Sequence, residues 1–200
     1  MMKLCNNSQS RGMTVMLLVK ELGIEDQIEE INVPYENMHQ AEYLTVNPMG
    51  KVPCLIDQGV MISEVAAIFT YLADKYAEKG LAPALDDPKR GAYLKWMFFA
   101  HGPLTEYVDL KGLGVSDEQI KQKSRSLSFG HEESVFAFLK NGMKEANPYL
   151  LGEKISAADL FLGYWLIVAI SFNILSYLDE FKPFIQLLTQ RDSMKGVPWF

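Results

Sequence analysis

The stretch NPMGKVPCLIDQGVMISEVAAIFTYLADKY, residues 47–76, decides the fold. Asn47, Pro48 and Gly50 are turn formers, each for its own backbone reason. Val52–Ile56 and Val60–Ile62 read as short strands separated by Asp57, Gln58 and Gly59, which is hairpin chemistry. A helix follows from Glu64 to Tyr76. Two features need more than secondary structure to account for them: Pro53 inside a strand, where it donates nothing to a ladder, and a lone carboxylate, Glu64, at a helix start.

Working outward, residues 3–5 form a short strand candidate. From Val15 the apolar positions Val15, Leu18, Val19 and Leu22 keep helical spacing up to Gly23. Ile28–Val33 alternates as a second strand stopped by Pro34, and Glu42–Val46 makes a turn of helix. Residues 1–77 therefore read as a β-α-β-α-β-β-α domain. A Gly-, Pro- and Asp-rich linker covers 78–87, and 88–200 carries no convincing strand pattern and reads as all-helical. There, Asp87 with Pro88 marks an N-cap, Ser116 with Gln119 a capping box, and Ser156 with Asp159 another, with Ile155 placed to staple onto Leu160. The helix after Ser156, AADLFLGYWLIVAI, is apolar nearly all round and belongs at the centre of the second domain.

With 200 residues, 48% of them hydrophobic, the chain is long enough to bury a core. A net charge of −6 and a pI near 5.1, with no cluster of Lys and Arg, exclude a general nucleic-acid binder. Two cysteines, Cys5 and Cys54, and three scattered histidines offer no metal-ligand spacing. The N-terminus lacks an apolar signal core, and the run Leu160–Phe172, about 13 residues, falls short of the ~20 that cross a bilayer. A soluble protein of the cytoplasm, with no membrane partner, is the expectation.

NPMGKVPCLI followed by ISEVAAIFTYLADKY resembles the glutathione-binding, thioredoxin-like half of the glutathione S-transferase family. YLKWMFFAHGPL and NPYLLGEKISAADLFLG resemble the helical half of its bacterial members, so the likeness spans nearly the whole chain in order. It implies a cis peptide before Pro53, which turns Val52 toward the cysteinyl part of glutathione, and an acid at Glu64 for the glutathione α-amino group. Lys51, Val52, Pro53, Glu64 and Val65 are the implied glutathione-binding residues. Tyr93, Met97 and His101, in a helical stretch with Trp96, Phe98 and Phe99, are implied candidates for an electrophile pocket, although an aromatic stripe is more often core. The resemblance also implies a two-fold homodimer through helix 64–76 and the helix after Pro88, with glutathione as cosubstrate and no metal.

The chain departs from the family in two places. Val65 stands where a Ser or Thr hydroxyl usually binds the γ-glutamyl carboxylate, leaving the backbone N–H to do so. Cys5 or Asn6 stands where many relatives carry a strand-end tyrosine, so the thiol-activating group falls to the turn CNNSQSRGMT: Ser10 first, then Ser8, then Asn7. The alternative, that all three only shape the turn, stands beside it. Cys5 and Cys54 read as buried core thiols. The leading expectation is a glutathione transferase acting on a small apolar electrophile. Its alternatives are a non-catalytic binding protein on the same scaffold and a glutathione-dependent reductase or peroxidase.

Overall fold

Strands β1 (Met2–Asn6), β2 (Ile28–Asn32), β3 (Cys54–Asp57) and β4 (Val60–Ile62) form one sheet in the order β2-β1-β3-β4. β1 runs parallel to β2 and antiparallel to β3, which pairs antiparallel with β4. This is a computed structural model, and it describes residues 1–195. The chain divides into two compact units, Met1–Gly80 and Leu81–Phe200, and the division falls within the Gly- and Pro-rich stretch 78–87.

In the first unit, helix α1 (Gly12–Leu22) makes the β1–β2 crossover that a parallel pair requires. Its stripe of Val15, Leu18, Val19 and Leu22 is buried. α1 packs against α3 (Val65–Lys75), whose Ile68, Phe69, Leu72 and Ala73 are all fully buried. Each large apolar side chain so covered contributes about 1.5–3 kcal/mol. Alternation along the strands divides the sheet into two faces. Leu4 and Leu55, paired across β1 and β3, point one way; Cys5 and Cys54 point the other, into a cluster with Val33, Met38 and Tyr43 of the α2 (Ala41–Leu44) segment.

Several boundaries move, each for a local reason. α1 starts at Gly12, three residues before its apolar stripe begins, because the first turn carries no periodic signal. β3 starts at Cys54, not Val52, since Pro53 has no N–H for the ladder, and it extends to Asp57. The hairpin loop is therefore only Gln58 and Gly59, at φ 50° and 80°, the positive pair that a tight two-residue turn requires. Glu64 is the N-cap of α3, not its first residue. Asp87 does not open a helix: its Oδ1 accepts the Lys89 N–H at 2.7 Å in a preceding turn, and α4 (Arg90–Phe99) begins two residues beyond Pro88.

The second unit is helical. α4 passes through a π-helical turn, Ala100–Leu104, into α5 (Thr105–Gly112). Pro103 within that turn has no N–H to give the preceding turn, and the Thr105 hydroxyl donates to the Ala100 carbonyl at 2.7 Å. The Ser116–Gln119 capping box forms at α6 (Asp117–Lys123), and α7 (Glu132–Glu145) follows. α8 (Ala157–Ser171) packs against α4 and α9 (Lys182–Thr189) and is buried on almost every side, as its uniform apolarity requires. Its start is a Ser156–Asp159 capping box. Asp159 is fully buried; one carboxylate oxygen accepts the Ser156 N–H and hydroxyl at 2.8 and 2.6 Å, the other the Leu150 N–H at 2.8 Å. Burial pushes this carboxyl upward in pKa while the Ser156 and Leu150 donors pull it down.

Candidate functional site

Three segments of the first unit leave the sheet at the same end. The C-terminal end of β1 opposes the N-terminal end of β3, because Cys5 pairs with Cys54. β4 runs back along β3, so that Ile62, opposite Leu55, delivers Ser63 and Glu64 to that end too. The register thus gathers the turn 7–12, the Val52–Pro53 bond and the start of α3, which sequence spacing alone leaves unrelated.

The turn is built by its own polar side chains. Asn7 accepts the Gln9 N–H on Oδ1 at 2.9 Å and donates from Nδ2 to the Val33 carbonyl at 3.1 Å. The Ser10 hydroxyl donates to the Asn7 carbonyl at 2.7 Å and accepts the Gly12 N–H at 3.0 Å, so both of its roles are taken up within the turn. Ser8 is exposed. The Tyr35 hydroxyl reaches in from the segment after β2 to the Gln9 carbonyl at 2.9 Å. A Cβ at Gly12 would lie 1.6 Å from Asn6 Oδ1, so a larger residue there would have to displace the Asn6 side chain.

The second segment is held from behind. The Val52–Pro53 peptide is cis. The Lys51 carbonyl beside it accepts two hydrogen bonds, from the Tyr43 hydroxyl at 2.7 Å and from Asn47 Nδ2 at 2.8 Å. Asn47, 1% exposed, also accepts the Met49 N–H on Oδ1 at 3.1 Å. Gly50 sits at φ 60°, where a Cβ would come within 2.6 Å of the His39 ring and 2.8 Å of the Met38 carbonyl. With Lys51 fixed on two sides, Val52 is left half-buried, and neither its N–H nor its C=O bonds to backbone among the described residues. That leaves one unpaired backbone position just before β3, beside the cis bond.

The third segment is a helix start without a side-chain cap. Glu64 adopts φ 69° and ψ 120°, is exposed, and provides no side-chain cap to α3. The first N–H groups of α3 are therefore not sealed by the N-cap side chain, and the helix dipole favours an anion there. The Val65 side chain is buried, 8% exposed.

Of the remaining candidates, Tyr93 and Met97 on α4 are fully buried, while His101 in the π turn is half-buried. Both cysteines are buried and free; burial raises the Cys5 thiol and pushes the Cys54 thiol up to about 11. Among the described residues no group of three or more His, Cys, Asp or Glu side chains could hold a metal ion, and no helix is long and apolar enough to cross a membrane. Asn47, Tyr43 and Tyr35 are site-building residues that sequence reasoning passed over. The turn signal at Asn47 was visible; the partners of the two tyrosines come from chain positions that only the folded register brings close.

Comparison with known proteins defines the class. Residues 11–75 match the glutathione S-transferase N-terminal domain. Glutathione S-transferase hmp2 of Hypomyces subiculosus is 34% identical over 160 residues, covering 74% of this chain and 72% of that protein. The chain belongs to the glutathione S-transferase family. Among solved structures, a glutathione transferase from Methylococcus capsulatus superposes with a TM-score of 0.80 at 25% identity, covering 97% of this chain and 95% of that one. The bacterial enzyme BphK, solved as a ternary complex, gives 0.76 at 28% over 96% and 95%. A sphingomonad glutathione S-transferase complexed with glutathione gives 0.75 at 25% over 96% and 94%.

Proposed function

We propose that this chain binds glutathione at the shared sheet end of its first unit, stabilises the thiolate, and conjugates it to a small apolar electrophile. The observation that carries this reading is the unpaired backbone of Val52 beside cis-Pro53, delivered by the sheet register to the same end as the unsealed start of α3. In this reading the cysteinyl backbone pairs with Val52, beside Lys51 and Pro53. The γ-glutamyl carboxylate lies over the N–H groups of Val65 and its neighbour, and the α-amino group meets Glu64. The sphingomonad relative was solved with glutathione bound, which supports the ligand assignment.

Thiolate stabilisation is the harder requirement. A free thiol titrates near 8.5, and lowering that by two units requires ~2.7 kcal/mol in favour of the anion. The reading assigns this to a turn hydroxyl, Ser10 or Ser8, together with the start of α1. Ser10 serves only if its proton turns away from the Asn7 carbonyl, whereas Ser8 already lies at the surface. Of the three residues proposed for the electrophile pocket, His101 retains exposed surface and Tyr93 and Met97 have none. A homodimer completes the proposal, read as about twice 22.6 kDa by light scattering; a monomer mass at micromolar concentration would remove it.

A second reading, glutathione binding without conjugation, is favoured by one observation: the Ser10 hydroxyl is engaged on both sides within the turn. Thiolate absorbance of bound glutathione at neutral pH, followed by turnover of 1-chloro-2,4-dinitrobenzene, separates the two. Binding, thiolate and conjugate together support the transferase. Binding with neither of the others supports the second reading, and no binding removes both.

A further inference from the structure

Cys5 and Cys54 are directly opposed on the antiparallel β1–β3 ladder. Opposed residues of such a pair share a face with Cα atoms roughly 4.5–5.5 Å apart, inside the ~4.4–6.8 Å span that a disulfide accepts. Both thiols are free and belong to one apolar cluster with Val33, Met38 and Tyr43. Their access differs. Cys5 lines a cavity of about 540 Å³ together with Lys3, Ile31, Val33, Tyr43 and Ile56, whereas Cys54 lies outside that lining and is fully buried. One sulfur stands at an opening and its partner stands behind it.

We propose that Cys5 and Cys54 form a redox-active dithiol, in which Cys5 takes up a small organic disulfide through the cavity and Cys54 resolves it to a cross-strand disulfide. In the first step the Cys5 thiolate attacks one sulfur of the disulfide RSSR. A Cys5–SR bond forms, the RS–SR bond breaks, and the departing thiolate takes up the proton that Cys5 released. In the second, Cys54 gives up its proton and attacks the Cys5 sulfur; the Cys5–Cys54 bond forms, the Cys5–SR bond breaks, and a second RSH leaves. Two protein thiols lose two electrons and RSSR becomes two RSH. Because burial holds both thiols high, the exchange is slow at neutral pH and quickens as pH rises. The product ties the end of β1, which leads into the turn 7–12, to the residue that follows cis-Pro53, so oxidation fixes the spacing between two segments of the candidate site.

The test uses the full chain and 2-hydroxyethyl disulfide at mildly alkaline pH, with acid quenching, alkylation and mass analysis. The expected result is loss of both alkylatable thiols together, with the Cys5 and Cys54 peptides joined and the bond reversed by reductant. Cys54→Ala should stop at a single hydroxyethylthio group on Cys5, and Cys5→Ala should leave Cys54 unmodified; thermal melts by circular dichroism establish that each variant is folded. Wild-type thiols that stay alkylatable, adducts that never convert to a linkage, or a linkage that forms only in urea would overturn the proposal. The readout is a peptide linkage, independent of glutathione conjugation, so it stands or falls separately from the transferase reading.

Discussion

Two helices of this molecule start beside an acidic residue and treat it in opposite ways. At α8, Asp159 turns back into the protein, loses all exposure and closes the helix start with three hydrogen bonds. At α3, Glu64 stands at φ 69° on the surface and gives the helix start no side-chain cap. A helix start sealed by its own chain serves stability. One without a side-chain cap, at the same sheet end as the unpaired backbone of Val52, is the arrangement on which the proposed recognition of an anionic peptide rests.

The contrast breaks most visibly at the sealed end. Asp159→Ala strands the Leu150 N–H, the Ser156 N–H and the Ser156 hydroxyl in a buried place, and at ~1–3 kcal/mol for each unsatisfied group the loss reaches roughly 3–5 kcal/mol. Urea unfolding should show it as a large fall in midpoint. A change under 1 kcal/mol, on the order of one ordinary hydrogen bond, would show that the box is ornamental.

Asn47→Ala sharpens the comparison at the open end. It removes the Asn47 hydrogen bonds to Lys51 and Met49 from a side chain 1% exposed, for about 2–3 kcal/mol. It should also weaken glutathione binding, because the Lys51 carbonyl then keeps only the Tyr43 hydroxyl. Calorimetry on the variant checks both; a destabilised protein with unchanged glutathione affinity would detach this loop from recognition.

Much of this contrast is legible in the sequence, but unevenly. The Ser156–Asp159 box is local, four residues whose spacing states its own hydrogen bonds, and Pro53 with Glu64 mark the site through the family resemblance. The β1–α1 turn is less legible because its decisive bonds are long-range or internal: Tyr35 to Gln9, Asn7 to Val33, and Ser10 folded onto Asn7. A list of hydroxyls in order of spacing holds no information on which proton is already engaged. The same limit applies to Tyr93 and Met97, whose helical phase marks an apolar face without showing that burial is complete.

A smaller effect tests the far end of α3, where its last turns meet the hairpin end of β3. Asp57 accepts from the Tyr71 hydroxyl at 2.6 Å and forms an ion pair with Lys75, and these hold its carboxyl below the usual range, Lys75 being the larger cause. The stabilisation is fully present above the unfolded value of about 3.9 and is lost as pH falls through the lower folded value. Lys75, raised by the same bond, contributes stability that is present below its unfolded value and lost as pH rises through the folded one. Asp57→Asn should therefore lower stability by about 1–2 kcal/mol at neutral pH, the deficit closing below about pH 4. A deficit that persists unchanged in acid would assign it to packing.

The smallest expected effect lies at Val65. Val65→Ser trades a buried side chain for a hydroxyl at the unsealed helix start, so stability should fall by about 1 kcal/mol. If the γ-glutamyl carboxylate lies there, glutathione affinity should rise roughly fivefold, about half of a charged hydrogen bond being offset by displaced water. Opposite signs on melting temperature and affinity mark a ligand-facing position. A fall in melting temperature with no gain in affinity marks packing alone.

The central claim is that the start of α3 receives the γ-glutamyl end of glutathione, and calorimetric titration of the wild-type chain with glutathione and with cysteinylglycine addresses it directly. The account predicts measurable glutathione binding that is lost, or weakened by at least tenfold (~1.4 kcal/mol), once the γ-glutamyl group is removed. Equal affinity for the two ligands, or heat from neither, would contradict it.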